Sequence, residues 1–565
     1  MMPASKTTDP FAGSAIDPAR SSSSGVGVTV VQQHHDALSM FRAAVDEFAD
    51  HTMVAYFDGE LTFAQVDAES DAIASALVAD GVAVGDRVAV VAQNIPHFLV
   101  ALVGIWKAGA VIVPVNPMVG DAELRHMLSD SGAVVVFCEE TRIGSQAWLE
   151  GIDLTAPVIS MCPRDYQHRD DERVLPPCPG TITGRDFAGI VASFAGRTPK
   201  AYTPDGDSPA ALTYTSGTTG RPKGAVNRHR NLAFAGQVYR DWLPLSEHDA
   251  ILGVPPMSTI TGLAIGVAAT LLTGCRYVIN YRFAPGVLVD IIREHRPTFL
   301  VGPPTLYTAL LNDPELTASD TASLTHLYCG AAPVPPVLVE RWRKRFGQEI
   351  RVAYGMTEAT GPTHLAPVGV PIPVDEITGA LSVGVAVFST RARVVRPDGT
   401  VDDEVGDGEP GELIVSGPQV IREYWRNSEG TRQTIVDGWL RTGDMAVRHG
   451  DWFFIVDRLK DLIITSGNNV SPRQVEDCLL GHAAVREVAV IGVPDDYRGE
   501  AVCAFVVTDP TAVVTELELI GHCRDRLAPY KAPRRIEFVD ELPKNIAGKI
   551  LRRVLKDRVV AHESC

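Results

Sequence analysis

Cysteine is scarce, nine residues in 565, and no two stand in a CxxC pair. The scatter of Cys138, Cys162, Cys178, Cys275, Cys329, Cys478, Cys503, Cys523 and Cys565, with its odd count, excludes a small disulfide scaffold. Most lie in apolar runs, so they read as buried free thiols of a reducing compartment. Positive charge is in deficit, 51 Lys and Arg against 69 Asp and Glu, for a formal charge of −18. That argues against a general nucleic-acid binder, whose affinity rests on neutralising phosphates. It leaves room for a local anion site, which needs only a few donors. Long apolar runs are missing too. The most hydrophobic window, 98–115, is broken by Gly104, Lys107 and Gly109 and closed by Pro114, too short for a membrane span. Residues 1–26 are rich in Ser, Ala, Asp and Gly without a signal-peptide core, and read as a disordered lead-in. No repeat at solenoid periods occurs. These absences predict a soluble protein of cytoplasmic type with no integral membrane segment.

What is present is ample material for folded cores: 45% hydrophobic and 21% charged residues, close to the globular average. At roughly 100–200 residues per domain, the length predicts about three or four folding units. Helical periods over 64–80, 96–108 and 121–131 alternate with the apolar runs 87–91, 110–115 and 133–138. The alternation returns between 231 and 354, with strands expected at 277–280, 298–301 and 326–329. Such alternation marks parallel sheets covered on both faces. After about Gly379 the texture changes to short strands at 392–395, 411–415 and 453–456 between Gly, Pro and Asp, a small β-rich unit. From Asp461 a compact α+β unit follows, with helices expected at 472–480 and 515–527 and strands at 488–491 and 501–507.

The segment Tyr214-Thr215-Ser216-Gly217-Thr218-Thr219-Gly220-Arg221-Pro222-Lys223-Gly224 follows an apolar strand and precedes Ala225-Val226. Its hydroxyls, glycines and lysine offer many donors to a polyphosphate. The composition alone equally suits a surface loop, and the segment lacks the GxxxxGK[ST] pattern of the common nucleotide P-loop. Further along stand Gly330-Ala331-Ala332-Pro333, Tyr354-Gly355-Met356-Thr357-Glu358, Trp439-Leu440-Arg441-Thr442-Gly443-Asp444, Asp457-Arg458-Leu459-Lys460-Asp461 and Leu542-Pro543-Lys544-Asn545-Ile546-Ala547-Gly548-Lys549-Ile550. Taken singly, each of these reads as a turn or a charged surface segment.

Together and in this order they resemble the signatures of the adenylate-forming superfamily: acyl-CoA synthetases, luciferase and peptide-synthetase adenylation domains. The likeness runs from about residue 35 to residue 555. It implies an α/β fold with a large N-terminal lobe of two doubly wound α/β subdomains plus a small β-rich subdomain. A smaller, mobile α+β C-terminal domain follows. The implied boundaries are 27–457 for the AMP-binding domain, 458–460 for the hinge and 461–565 for the C-terminal domain. The resemblance makes Thr215, Ser216, Gly217, Thr218, Thr219, Gly220 and Lys223 the phosphate loop. Gly330, Ala331 and Ala332 would flank the adenine, with Tyr354 stacked on it beside Gly355 and Met356. Thr357 would contact the α-phosphate, Glu358 and Thr215 would hold Mg²⁺, and Asp444 and Arg458 would bind the ribose. Lys460 would be the hinge residue, Gly467 would face the pantetheine of coenzyme A, and Lys549 would be the catalytic lysine. A positioned ammonium suits the charge that develops as a carboxylate attacks phosphorus.

Some segments depart from the family pattern. Pro256-Met257-Ser258-Thr259-Ile260-Thr261-Gly262 stands where relatives usually read Pro-Leu-Phe-His, so Ser258 and Thr259 replace an aromatic and a histidine. Ser466, Asn468 and Ser471 replace a glycine, a glutamate and a tyrosine after the hinge. Glu423 replaces a glycine before Tyr424-Trp425, which reads as a surface difference. The expected activity is an AMP-forming carboxylic acid:CoA ligase using ATP, Mg²⁺ and coenzyme A. Candidate acyl-pocket residues are His229, Thr259, Ile260, Gly262, Gly302 and Gly361. With no arginine placed for a second carboxylate, the expected acid is an apolar monocarboxylate, fatty, alicyclic or aromatic. The alternatives are an acyl-AMP ligase or adenylation enzyme loading a carrier protein, a luciferase-type oxygenase, and a nucleotide-binding regulator without catalysis. Oligomeric state is open, a homodimer included.

Overall fold

The computed structural model describes residues 29–144, 146–177, 184–215, 221–458, 461–465, 468–495, 498–509, 512–544 and 550–563. The expected lead-in lies outside them.

The first expected strands assemble a seven-stranded sheet. Its order is Arg185–Asp186, Ile159–Met161, Ala133–Glu139, Arg87–Val91, Val111–Val115, Pro209–Thr215 and Lys223–Arg228. All neighbours are parallel except the last two, which form the antiparallel hairpin around the phosphate-loop motif. The continuous valine runs follow from cover on both faces. Every residue of helix Pro96–Lys107 is buried. Lys107 tolerates this because its ammonium reaches Asp67 at 2.7 Å and Asp71 at 2.6 Å on helix Phe63–Ala79. A charge that looked like an interruption of an apolar window is a paired buried lysine.

A second, nine-stranded sheet has the order Val385–Ala386, Gly361–Leu365, Arg351–Met356, His326–Cys329, Phe299–Gly302, Ala250–Gly253, Arg276–Ile279, Thr52–Tyr56 and Gly59–Thr62. Its middle is parallel and its two edges end in antiparallel hairpins. One large core of buried residues takes side chains from both α/β sheets.

The β-rich unit is an antiparallel five-stranded sheet of Arg391–Val395, Gly411–Ser416, Trp439–His449, Ile435–Val436 and Trp452–Arg458. Here the Thr442-Gly443-Asp444 motif lies inside an 11-residue strand, where the local sequence suggests a turn. Glu412 explains it: its carboxylate accepts the Gly443 N–H at 3.0 Å and holds Arg441, so the strand bends locally without ending. The last sheet comprises Asn468–Val470, Ile463–Thr465, Gly499–Thr508, Val485–Asp495 and Arg535–Phe538. Val488 and Val490 enter one apolar cluster and Ala489 and Ile491 another, the period-2 signature of a strand covered on both sides.

The thiol expectation needs one correction. Cys138, Cys275, Cys329, Cys478 and Cys523 are free thiols, but Cys162 is disulfide-bonded. It stands half-buried just beyond strand Ile159–Met161, outside the apolar runs that hold most of the others.

Candidate active site

Four motifs far apart in sequence meet where the parallel strands of both sheets end, the usual ligand face of open α/β sheets. Thr215 is the last residue of Pro209–Thr215, paired with Lys223 across the hairpin. Residues 216–220 lie outside the described residues. The Lys223 ammonium sits 5.4 Å from the centre of the Tyr424 ring.

The motif at Tyr354 leaves strand Arg351–Met356 and turns through the short 3-10 segment Thr357–Ala359. Gly355 is required by packing, since a Cβ there would meet the Gly361 carbonyl oxygen at 2.0 Å. The turn is held from the other sheet. Buried Asn227 donates to Thr357 O at 3.1 Å and to Thr360 Oγ1 at 2.9 Å. Glu358 is buried, and its Oε1 accepts the Tyr424 hydroxyl at 2.7 Å.

Tyr354, Asp444 and Arg458 form one cluster. The Tyr354 hydroxyl donates to Asp444 Oδ2 at 2.7 Å, while Arg458 Nε approaches Asp444 Oδ1 at 3.1 Å. Burial and the adjoining Asp444 carboxylate push the Tyr354 phenol far above its ordinary range. Each Asp444 oxygen keeps a second lone pair for an external hydroxyl. Behind Tyr354 lies His364, 5.8 Å away between centroids and 4.6 Å from Phe453. Its complete burial drives its pKa down to about 3, so it is a neutral packing ring.

Gly330 closes the corner after His326–Cys329, where a Cβ would meet Ala353 O at 2.4 Å. Ala331 beside it takes a left-handed φ of 63°, and Ala332 completes the corner. Gly361 also has a positive φ, 125°, and a Cβ there would lie 3.2 Å from Ala264 and 3.8 Å from Ala235. Ala264 belongs to the π-helical segment Gly262–Ala268, entered through Ile260. Thr259, in place of the family histidine, folds back on Pro256 O at 2.8 Å and leads this helix. Gly302 packs on Leu306, ending strand Phe299–Gly302 beside the Gly330 corner, whose N–H it accepts at 3.1 Å.

His229 is not brought to these residues. It opens helix His229–Trp242 at the opposite end of the hairpin from Thr215 and Lys223, and its ring lies 5.5 Å from Trp106. Buried there, it is held neutral with a pKa of about 4. The helix face that reaches Gly361 carries Ala235, which the sequence reading missed; six residues on from His229, it lies about 240° around the helix, on a different face. Tyr424 and Asn227 were missed as well. Glu423 is the surface difference expected, with a half-exposed carboxylate 2.7 Å from Arg228. Lys460, Gly467 and Lys549 lie outside the described residues. The residues flanking 545–549 are paired with each other, Lys544 bridging Ile550 and Leu551 N–H bonding Pro543 O at 2.8 Å.

The hairpin ending at Thr215 and Lys223, a buried glutamate and a Tyr–Asp–Arg cluster gather at the strand ends of an α/β enzyme. The chain belongs to the AMP-binding enzyme family, which it matches over residues 41–425, with the AMP-binding enzyme C-terminal domain matched over 474–549. It is similar to a long-chain-fatty-acid–CoA ligase of Escherichia coli O6:H1, 36% identical over 93% of this chain and 95% of that one. A feruloyl-CoA synthase of an Amycolatopsis species is 36% identical, covering 90% and 96%. Among solved structures, ATP-bound MatB from Rhodopseudomonas palustris superposes with a TM-score of 0.81 at 30% identity, covering 93% and 99%.

Proposed function

We infer that the chain is an ATP-dependent, AMP-forming carboxylic acid:CoA ligase acting in two steps at one site. The observation that carries this is the Tyr354–Asp444–Arg458 cluster, which joins three motifs from two sheets at one place. In the first step a carboxylate oxygen bonds to the α-phosphorus of ATP and the bond to the β-phosphate oxygen breaks, releasing pyrophosphate. In the second, the CoA sulfur bonds to the acyl carbon, the carbon–oxygen bond to AMP breaks, and AMP leaves.

Asp444 and Arg458 take the ribose, Tyr354 and the Gly330–Ala332 corner the adenine, and Thr215, 216–220 and Lys223 the phosphates. Thr357 binds at the α-phosphate, and Lys549 neutralises the charge that grows there. Glu358 and Thr215 would hold Mg²⁺, which when bound supplies positive charge to the phosphate oxygens. The donor set fits that ion. One buried carboxylate and one hydroxyl beside a phosphate site suit a cation that keeps water and phosphate ligands, and the described residues hold no cluster of three or more His, Cys, Asp or Glu side chains. The C-terminal domain, 461–565, turns about Lys460 to withdraw Lys549 and present Gly467 to CoA. The acyl group lies along Thr259, Ile260, Gly262, Gly302 and Gly361, whose small and apolar character suits an apolar monocarboxylate.

The test follows pyrophosphate and AMP separately over acids of graded length and ring content. Acid-dependent pyrophosphate release is expected without CoA, and AMP release on adding it. Lys549→Ala is expected to lower acyl-AMP formation from free acid by about 10²–10³-fold. Undiminished adenylation in that variant would remove Lys549 from the mechanism.

A further inference from the structure

We propose that Tyr424 is a positioning residue for adenylation, one side chain that sets the spacing between Glu358 and Lys223. The proposal rests on the reading of Glu358 as the Mg²⁺-binding carboxylate. Tyr424 lies on the segment 421–425, which crosses from the β-rich unit to the phosphate hairpin. Its main chain is fixed on both sides. Ile421 N–H bonds Glu358 O at 2.8 Å, Val226 N–H bonds Glu423 O at 3.2 Å and Trp425 N–H bonds Gly224 O at 2.7 Å. Tyr424 itself bridges Ala225, and its N–H bonds Thr431 Oγ1 at 3.0 Å. The side chain is 6% exposed, packed with Ala225 and Ile421, so its ring has one available place.

Two groups meet that ring. At its rim the hydroxyl donates to Glu358 Oε1 at 2.7 Å, and at its face stands the Lys223 ammonium at 5.4 Å. A carboxylate with one oxygen held by a neutral donor keeps its charge and loses its rotational freedom, leaving the other oxygen for a cation. Hydrogen bonds of this kind to metal-binding carboxylates orient the ligand, and losing one typically costs about 10–100-fold in metal affinity. The aromatic face holds the lysine without neutralising it, as an acidic partner would. A purely structural tyrosine would not need both contacts to fall on phosphate-side groups.

The experiment compares wild type, Tyr424→Phe and Tyr424→Leu. Calorimetry measures the binding of ATP with Mg²⁺ and of ATP in EDTA, and pyrophosphate release is titrated with free Mg²⁺. Tyr424→Phe keeps the ring under Lys223 and removes only the donor. It is expected to weaken MgATP binding and raise the half-activating Mg²⁺ concentration by about tenfold, with metal-free ATP binding unchanged within twofold. Tyr424→Leu also removes the aromatic face, and is expected to weaken metal-free ATP binding by about two- to fivefold as well. If Tyr424→Phe leaves the Mg²⁺ dependence unchanged, or weakens ATP equally with and without the metal, the positioning role falls. Wild-type adenylation that needs no divalent cation would overturn the Glu358 reading and this proposal with it. Mg²⁺-dependent wild-type activity with an unaltered Phe variant would overturn this proposal alone.

Discussion

Asp457 is the penultimate residue of strand Trp452–Arg458, just before Arg458 and 459–460, and it is 7% exposed. Its Oδ1 accepts the Arg458 N–H at 2.7 Å, while Oδ2 lacks a hydrogen-bond partner among the described residues. The nearby Ser471 hydroxyl donates to Val456 O at 3.3 Å. Burial, helped by the negative Glu476, raises its pKa to about 6 against the moderating pull of Ser471, the Arg458 N–H and Arg552. The folded state therefore binds this proton more tightly than the unfolded chain. The associated stability is present below about pH 4 and is lost as pH rises through 6. Asp457→Asn is expected to stabilise the protein at pH 7 by about 1–3 kcal/mol and to change little at pH 4. Melting temperatures of both proteins from pH 4 to 8 check this, and a difference that stays constant with pH would refute it.

At the scale of elements, the π-helical segment Gly262–Ala268 is shaped by a tyrosine from the sheet below. Tyr277 lies in a slot between Gly253 and Gly266, and a Cβ on Gly266 would sit 2.2 Å from its hydroxyl. That hydroxyl is buried without a hydrogen-bond partner among the described residues. Gly266→Ala is expected to destabilise by about 1–3 kcal/mol through overpacking and to displace the segment that carries Ala264 toward Gly361. Tyr277→Phe removes the orphan hydroxyl and is expected to be neutral or stabilising. Chemical denaturation of the two variants tests both signs. If Gly266→Ala is as stable as wild type, the segment is not held by this contact.

The same elements explain what was legible in the sequence. Strands Arg87–Val91 and His326–Cys329 and helices Asp121–Ser131 and Pro472–Leu480 stand where their apolar periods place them. Local pattern and tertiary burial agree there. Strand Trp439–His449 was not legible, because Glu412 on a neighbouring strand satisfies the bend at Gly443 that otherwise signals a turn. The residues proposed to bind the nucleotide stood out because they occur as motifs. Tyr424, Asn227 and Ala235 did not, because their roles arise from contacts with chain 66 to 133 residues away in the first two cases, and from helix facing in the third.

In the whole molecule, the segments expected to carry Lys460 and Lys549 are joined through Arg552. Its Nη2 donates to both Glu476 oxygens, at 2.7 and 2.8 Å, and its Nη1 lies 3.5 Å from Asp461. Arg552 follows residues 545–549 and Asp461 follows 459–460, so one guanidinium ties the two flanks to helix Pro472–Leu480. Removing one partner of such a network costs about 3–5 kcal/mol where it is buried, and less where water reaches it, as at this 20% exposed side chain. Arg552→Gln is expected to slow single-turnover acyl-AMP formation by about tenfold. Thioester formation from supplied acyl-AMP is expected to stay within about threefold. Equal losses in the two half-reactions would assign Arg552 a general structural role.

The nine-stranded sheet also imposes an order in time. Its strand Thr52–Tyr56 pairs with Arg276–Ile279, which is made more than two hundred residues later. At a synthesis rate of about 5–20 residues per second, the ribosome presents that apolar strand for roughly ten to forty seconds before its partner exists. Among the described residues, its sheet neighbour made before then is the hairpin strand Gly59–Thr62. The hairpin of Thr52–Tyr56 and Gly59–Thr62 thus waits as an open sheet edge until then, the stage of biogenesis at which nascent-chain chaperones have most to shield.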